Sequence, residues 1–256
     1  MKSFNLKQLP QRTAKPRENG ITMVMDKGLS VRETEDLLSV SGKYFDLVKF
    51  GFGTAVVTEK LLKEKIKLYQ TKGIRAYFGG TLFEAFLIRK QVDNYLQVLR
   101  KFKLDCVEIS DGSIEIAHEK KCELIRKFSK DFTVISEVGS KDSNKHFPPR
   151  KWIEMIKKEL NSGSWKVIAE GRESGNVGVY NSDGDVHGRL VHRINAKIEH
   201  DKIIWETPLK SQQVFFIKQL DVNVNLGNIA PNDVIPLETL RLGLRSDTFH
   251  HFLDKK

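Results

Sequence analysis

The stretch CVEISDGSIEIAHEKKCELIRKFSKDFTVISE, residues 106–137, contains two short β-rich runs with a longer, more polar segment between them. The runs lie at 106–110 and 133–137, and each carries a glutamate at or near its end. The segment between them is long enough for one helix and two loops. The stretch therefore predicts a β-strand, a helix and a second, parallel β-strand, which together form one βα unit.

Runs of the same kind recur along the whole chain. We predict eight strands, at 21–26, 46–50, 75–78, 106–110, 133–137, 166–170, 202–206 and 223–226. The segments between the strands predict helices; 82–91 and 92–102, for example, place apolar residues at i, i+3 and i+4. Eight such units in 256 residues predict one α/β domain over 1–256, a (β/α)8 TIM barrel. Residues 1–19 are expected to form an N-terminal extension, either a flexible tail or a lid.

The alternative architecture is a doubly wound open sheet. Such a sheet usually has fewer strands and a glycine-rich phosphate turn after the first strand. Here the first strand ends in Met25-Asp26-Lys27-Gly28, without a GxGxxG pattern, and the chain has no Walker-type GxxxxGK[ST] motif. The barrel is therefore favoured.

The net charge of +10 allows two interpretations, nucleic-acid binding or an enzyme with an anionic substrate. Many lysines alternate with glutamates on predicted helix faces, and no nucleic-acid-binding signature is present, so we expect no nucleic-acid partner. No apolar run approaches the roughly 18 residues of a membrane-spanning helix, so we expect no membrane partner. The first 19 residues lack the apolar segment of a secretory signal, and the chain has only two cysteines, which predicts a cytoplasmic location.

Charged residues end several of the predicted strands. The active site of a (β/α)8 barrel lies at the carboxyl ends of its strands. Glu108, Glu137 and Glu170 end neighbouring strands, so their carboxylates could share one Mg²⁺, an ion that prefers oxygen ligands. The same clustering could instead raise the pKa of one carboxyl group and make it a proton donor. Any single member could also serve only in a structural ion pair.

Two regions are candidates for anion binding. The loops after strands seven and eight, where barrels often bind phosphate, supply Lys210, Ser211 and residues 228–232. Arg241 and Arg245 lie four residues apart in a predicted helical segment, where they either contact phosphate or carboxylate or pair with acids such as Glu238. The chain has no HExxH motif and no GxSxG motif, so zinc proteases and serine hydrolases of these types are not indicated.

The strand ends, taken together, resemble the phosphosulfolactate synthase family over almost the whole chain. Stretches that carry the resemblance include ITMVMDKG (21–28), DLVKFGFGT (46–54), VEISDGS (107–113), SEVGSKD (136–142), EGRESG (170–175) and VNLGNIAPND (224–233). The sequence departs from the family pattern at Phe52, where the family has tryptophan, and at Thr207 and Gly227, where it has alanine.

The resemblance implies a (β/α)8 barrel that adds sulfite to phosphoenolpyruvate with Mg²⁺, which is a carbon–sulfur lyase reaction of coenzyme M biosynthesis. It implies that Lys141, or else Lys49, is the catalytic acid and that Glu137 also belongs to the catalytic group. The residues expected to bind the anionic substrates are Arg172, Lys210, Ser211, Asn225, Arg241 and Arg245, and those expected to bind the metal are Glu108, Glu137 and Glu170.

A homo-oligomer is expected. Two other functions remain open, namely a non-catalytic stress-associated barrel and an enol-phosphate enzyme with a different nucleophile.

Overall fold

The computed structural model describes residues 4–139, 147–172 and 174–253, and its centre is a barrel of parallel strands. The eight strands are β1 (Thr22–Asp26), β2 (Leu47–Phe50), β3 (Arg75–Phe78), β4 (Cys106–Ile109), β5 (Thr133–Val138), β6 (Ser164–Ala169), β7 (Ile203–Glu206) and β8 (Leu226–Ile229). The hydrogen-bonded order is β3-β2-β1-β8-β7-β6-β5-β4. β3 and β4, at the two ends of this order, approach within 8 Å between Cα atoms, so the barrel is nearly closed. The predicted (β/α)8 barrel is confirmed.

Helices surround the strands. They are α1 (Val31–Ser41), α2 (Thr54–Val57), α3 (Glu59–Thr71), α4 (Gly80–Ile88), α5 (Val92–Lys101), α6 (His118–Phe128), α7 (Pro149–Asn161), α8 (Gly188–Asn195), α9 (Lys210–Gln219) and α10 (Val234–Arg241). Short 3-10 helices lie at His200–Lys202 and Pro231–Asp233. α1 begins with a capping box, in which the Ser30 side chain accepts from the Glu33 amide and the Glu33 carboxylate accepts from the Ser30 amide.

The last strand begins three residues later than the sequence predicts, at Leu226 rather than at residue 223. Asn225 accounts for the difference. Its side chain accepts a hydrogen bond from the Ile21 amide at 3.0 Å and donates to the carbonyls of Asp201 and Ile203. This side chain thus joins the start of β8 to backbone groups beside β1 and β7, in addition to the hydrogen bond that the Asn225 carbonyl accepts from the Trp205 amide.

Two apolar layers build the core, and the alternation of side chains along each strand separates them. One layer lies between the strands and the helices and includes Val48, Val107 and Ala169. The other fills the barrel itself and consists of Ile21, Met23, Leu47, Tyr77, Cys106, Ile135, Ile168 and Ile204. Gly227 also faces this interior, where an added Cβ would lie 2.6 Å from Cε of Met23, so the methionine fills the space that an alanine side chain would need.

The N-terminal segment packs against the amino end of the barrel. Arg12 pairs with Glu238 at 3.0 Å and donates to the carbonyls of Gly20 and Val222, and Arg17 pairs with Asp46 at 2.8 Å. Over these residues the segment is therefore neither a flexible tail nor a lid over the mouth, because buried ion pairs hold it at the opposite end.

Among the described residues, no helix combines the length and the apolar character needed to cross a membrane.

Replacing Arg12 with methionine should destabilise the fold, because Glu238 would keep a largely buried charge without its main partner. We expect a loss of about 3 kcal/mol in the free energy of unfolding, measured with urea. Arg100→Met is the control, because the Arg100–Asp131 pair is exposed and should contribute little. Equal losses in the two variants would contradict this role for Arg12.

Candidate active site

Four strands, and the residue that directly follows β6, each contribute one charged side chain to a single layer inside the barrel. These side chains are Lys49, Glu108, Glu137, Glu170 and Glu206, and we call them the charged layer. Each lies two residues after an apolar residue of the interior, which are Leu47, Cys106, Ile135, Ile168 and Ile204 respectively. Since side chains two residues apart lie on the same face of a strand, the charged layer stands directly above the apolar one, toward the carboxyl ends of the strands.

A cavity of about 390 Å³ opens at this end of the barrel. Its lining includes Lys49, Glu137, Glu170 and Glu206 of the charged layer, together with Arg172 and Asn228. The cavity is therefore the mouth at which the chemistry of a (β/α)8 barrel is expected.

Lys49 lies at the centre of the charged layer. Its Nζ is 3.1 Å from Glu108 Oε2, 3.4 Å from Glu206 Oε1 and 3.7 Å from Glu137 Oε2. Burial alone would lower the pKa of Lys49, but the three carboxylates outweigh burial and raise its pKa well above the ordinary value. Lys49 is therefore a stable cation at neutral pH.

Glu108 is the nearest of the three carboxylates to the Lys49 ammonium. Its second oxygen, Oε1, accepts a hydrogen bond from the Gly80 amide at 2.6 Å. A Cβ at position 80 would lie 2.7 Å from that oxygen and closer still to Ser110, so this contact requires glycine. Burial raises the pKa of Glu108 to about 7, against the opposing effect of Lys49.

Glu137, Glu170 and Glu206 form the group that could hold a metal ion. One carboxylate oxygen from each lies within 4.8 Å of the others, and all three residues are buried. The Gly171 amide donates to Glu206 at 3.0 Å and the Arg172 amide donates to Glu170 at 2.7 Å, which fixes two of the carboxylates. A hard divalent cation fits this all-oxygen set.

The candidate metal group differs from the predicted one in one member. The sequence grouped Glu108 with Glu137 and Glu170, whereas the structure brings Glu206 to that position. Glu108 and Glu206 both contact Lys49, and each accepts a hydrogen bond from a backbone amide, that of Gly80 for Glu108 and that of Gly171 for Glu206. The two amides direct the carboxylates differently, and only Glu206 lies close to both Glu137 and Glu170 in the candidate group.

Asn225 and Arg241, both predicted to bind substrate, lie at the amino end of the barrel instead. Asn225 precedes β8 and links backbone groups there. The Arg241 guanidinium is fully buried and donates to the carbonyls of Val222 and Ile21. These contacts hold the chain below the apolar interior, far from the mouth, so the expected substrate role of both residues is corrected to a structural one.

Arg245 does not share a helical face with Arg241. α10 ends at Arg241, and Gly243 follows in a left-handed conformation with φ of 67°. The Gly243 and Leu244 amides donate to the carbonyls of Leu240 and Thr239, which is a common way for a helix to end.

The remaining predicted residues differ in their surroundings. Arg172 is exposed and lines the mouth, with a left-handed backbone of φ 58°. Lys210 and Ser211 are exposed in the first turn of α9, where Lys210 pairs with Asp247 at 3.1 Å. Lys141 lies outside the described residues and stays a prediction.

Asn228 belongs to the segment 228–232, which the sequence placed in a candidate anion-binding loop without giving this residue a role of its own. Asn228 lines the mouth in a left-handed conformation, and its buried Oδ1 has no hydrogen-bond partner among the described residues. Asn228 lies on β8 rather than in the loop after it, because the strand begins and ends three residues later than predicted. The two-residue offset from the apolar interior would have identified Glu206.

A sequence profile of the family described as (2R)-phospho-3-sulfolactate synthase (ComA) matches residues 10–247. This chain belongs to the (2R)-phospho-3-sulfolactate synthase family. The prediction of an enzyme of this family on a (β/α)8 barrel is thereby confirmed.

Relatives within the (2R)-phospho-3-sulfolactate synthase family align over nearly the full length. Phosphosulfolactate synthase of Bacillus subtilis is 42% identical over 252 residues, which is 97% of this chain and 99% of the relative. Phosphosulfolactate synthase of Methanocaldococcus jannaschii is 44% identical over 238 residues, 91% of this chain and 94% of the relative. The charged layer therefore lies within the part of the chain that is shared with these enzymes.

The fold is also found in more distant proteins. The crystal structure of 3-hexulose-6-phosphate synthase from Salmonella typhimurium superposes with a TM-score of 0.55 at 11% identity, covering 88% of this chain and 100% of the other. At this level of identity the similarity concerns the barrel alone.

Glu108→Gln should change how stability depends on pH. Because burial raises the pKa of Glu108 to about 7, the folded protein binds a proton that the unfolded chain has lost, and stability falls as the pH rises toward 7. Glutamine removes this effect. The stability of the variant relative to the original protein should therefore increase by about 3 kcal/mol between about pH 5 and about pH 8, measured by urea unfolding. A difference that does not vary with pH would contradict the raised pKa.

Proposed function

We propose that this chain catalyses the addition of sulfite to phosphoenolpyruvate and forms 2-phospho-3-sulfolactate. The observation that carries the proposal is the charged layer, in which three buried carboxylates of one mouth lie beside the Lys49 ammonium. Membership of the phosphosulfolactate synthase family supplies the identity of the reaction.

Both substrates are anions, and the mouth offers cations to bind them. The exposed guanidinium of Arg172 lines the cavity and is suited to a bidentate contact with phosphate or carboxylate. The exposed Lys210 and Ser211 lie at the start of α9, after β7, in the region where barrels often bind phosphate. We assign phosphoenolpyruvate to this side of the mouth.

Glu137, Glu170 and Glu206 would hold Mg²⁺ in this proposal. When bound there, Mg²⁺ would neutralise negative charge that develops on the substrate carboxylate. The three residues present oxygen ligands only, and backbone amides already orient two of them, which supports a preformed site.

The bond changes divide into two steps. The sulfur lone pair of sulfite forms a bond to C3, and the electrons of the enol double bond move toward C2 and the carboxylate. C2 then takes a proton, which completes the product without loss of any group. Lys141 is the proposed proton donor. Lys49 suits this step less, because an acid with a strongly raised pKa is a weak donor at neutral pH, and its ammonium serves instead to stabilise negative charge.

A cytoplasmic location and a homo-oligomeric state are also part of the proposal. Both cysteines, Cys106 and Cys122, are free and buried, which is compatible with a reducing compartment. Light scattering of the purified protein would test the oligomeric state, and a monomeric mass would contradict it.

The direct test is to incubate the protein with phosphoenolpyruvate, sulfite and Mg²⁺ and to follow phosphorus by NMR. We expect the phosphorus signal of a new organic phosphate, and the mass of this product should include sulfite. The variant Lys141→Met should form little of this product. Binding of phosphoenolpyruvate without any dependence on sulfite would indicate an enol-phosphate enzyme with another nucleophile. Absence of both binding and product would favour a non-catalytic barrel.

Glu206→Gln tests the metal group. Loss of one carboxylate ligand should raise the Mg²⁺ concentration needed for half-maximal rate by about 10–100-fold. Glu238→Gln, which changes an acid at the amino end of the barrel, should leave that concentration unchanged. An unaltered Mg²⁺ requirement in Glu206→Gln would remove Glu206 from the metal site.

A further inference from the structure

Lys121 is a lysine of α6 whose side chain is completely buried outside the mouth. Its ammonium group contacts Asp111 Oδ1 at 2.8 Å, Glu159 Oε1 at 2.9 Å and the backbone carbonyl of Glu137. The three contacts match the three N–H groups of an ammonium. One of them reaches the backbone of a residue in the charged layer.

The carbonyl of Glu137 lies where the ladder between β4 and β5 ends. The last register pair of these strands is Ile109 with Ser136, after which the chain leaves β4. The carbonyl of Val138 accepts from the Glu170 amide on the β6 side. Because successive carbonyls of a strand point to opposite neighbours, the Glu137 carbonyl points toward the vacated β4 side. The Lys121 ammonium supplies the donor that a longer β4 would have supplied.

We propose that Lys121 is a positioning residue that fixes the backbone of Glu137 and so holds its carboxylate in the metal group. This inference rests on the proposed function. Asp111, from the loop after β4, binds the same ammonium, so the loop and the end of β5 are tied to one point. Glu137 approaches Lys49 and belongs to the group with Glu170 and Glu206, so a small backbone shift changes several distances at once.

The ammonium stays charged over the working range of pH. Burial alone would lower the pKa of Lys121, but Glu159 and Asp111 outweigh burial and raise its pKa above the ordinary value. The contact with the Glu137 carbonyl is therefore a charge-assisted hydrogen bond, which is stronger than the bond from a backbone amide that it replaces.

The competing explanation is that the ion pair with Glu159 merely joins α6 to α7. Three variants separate the two. Lys121→Met removes the donor to Glu137. Glu159→Gln weakens the helix-to-helix ion pair but leaves that donor in place. Lys166→Met is a matched control, because Lys166 is equally buried and donates to the carbonyls of Glu18 and Asp201 at the amino end.

All three variants should unfold at lower urea concentration, since each disturbs a buried charge. We expect only Lys121→Met to lower kcat, by about 10–100-fold, with a much smaller change in KM for phosphoenolpyruvate. Its crystal structure should show the Glu137 carboxylate displaced on the order of 1 Å relative to Lys49. An equal loss of kcat in Glu159→Gln or Lys166→Met, or an unmoved Glu137 in Lys121→Met, would overturn the proposal.

Two complications have defined outcomes. If Lys121→Met does not fold, the double variant Lys121→Met/Glu159→Gln is measured in its place against the same criteria. This double variant also removes the buried negative charge of Glu159, which would otherwise lose its lysine partner. If the original protein forms no product, the proposed function fails, and the position of Glu137 in the variant crystals alone decides whether Lys121 is a positioning residue.

Discussion

The ammonium of Lys49 lies between three carboxylates inside the barrel, and the burial of those carboxylates depends on it. An ionised carboxylate without a partner is costly to bury, and several close together repel one another. Lys49 offsets both effects from an inward-facing position on β2. Three carboxylates of the charged layer, those of Glu137, Glu170 and Glu206, lie close enough together to hold one divalent cation.

The two ends of the barrel use charge for different purposes. At the amino end, arginines bind carboxylates and backbone carbonyls in closed pairs, as Arg12 does with Glu238 and Arg17 with Asp46. At the carboxyl end, charged side chains line an open cavity. The net charge of +10 does not by itself indicate how many cations line the site, because some of the cationic side chains form ion pairs that stabilise the fold.

The sequence predicted the barrel because alternation and spacing are repeated eight times, and seven of the eight strands begin within two residues of their predicted positions. Local contacts that depend on tertiary neighbours could not be predicted in this way. Asn225 continues the β-rich pattern, but it precedes the strand, and its side chain accepts from the Ile21 amide and donates to the Ile203 carbonyl. A glycine commonly ends a helix by adopting a left-handed conformation, and Gly243 does so between Arg241 and Arg245. This signal in the sequence predicts that the two arginines do not share one helical face.

The candidate site was predicted in part for the same reason. Alternation brings Glu137 and Glu170 to one face, and it does so equally for Glu108 and Glu206. What distinguishes the last two is the direction of their carboxylates, which is set by the Gly80 amide in one case and the Gly171 amide in the other. Neither hydrogen bond is encoded in strand periodicity, since both donors lie beyond the ends of neighbouring strands.

The charged layer lies on the strands or directly at their ends, whereas Arg172 lies in a loop, so the two are held in place to different degrees. Side chains on paired strands are held by the ladder on both sides, whereas loops tolerate sequence change with less effect on the fold. The end of β5 would be the weak point of this arrangement, because the last register pair of β4 and β5 is Ile109 with Ser136, one residue before Glu137. An ammonium from α6 occupies that place, so the end of β5 beside Glu137 is held by a residue that lies outside the mouth.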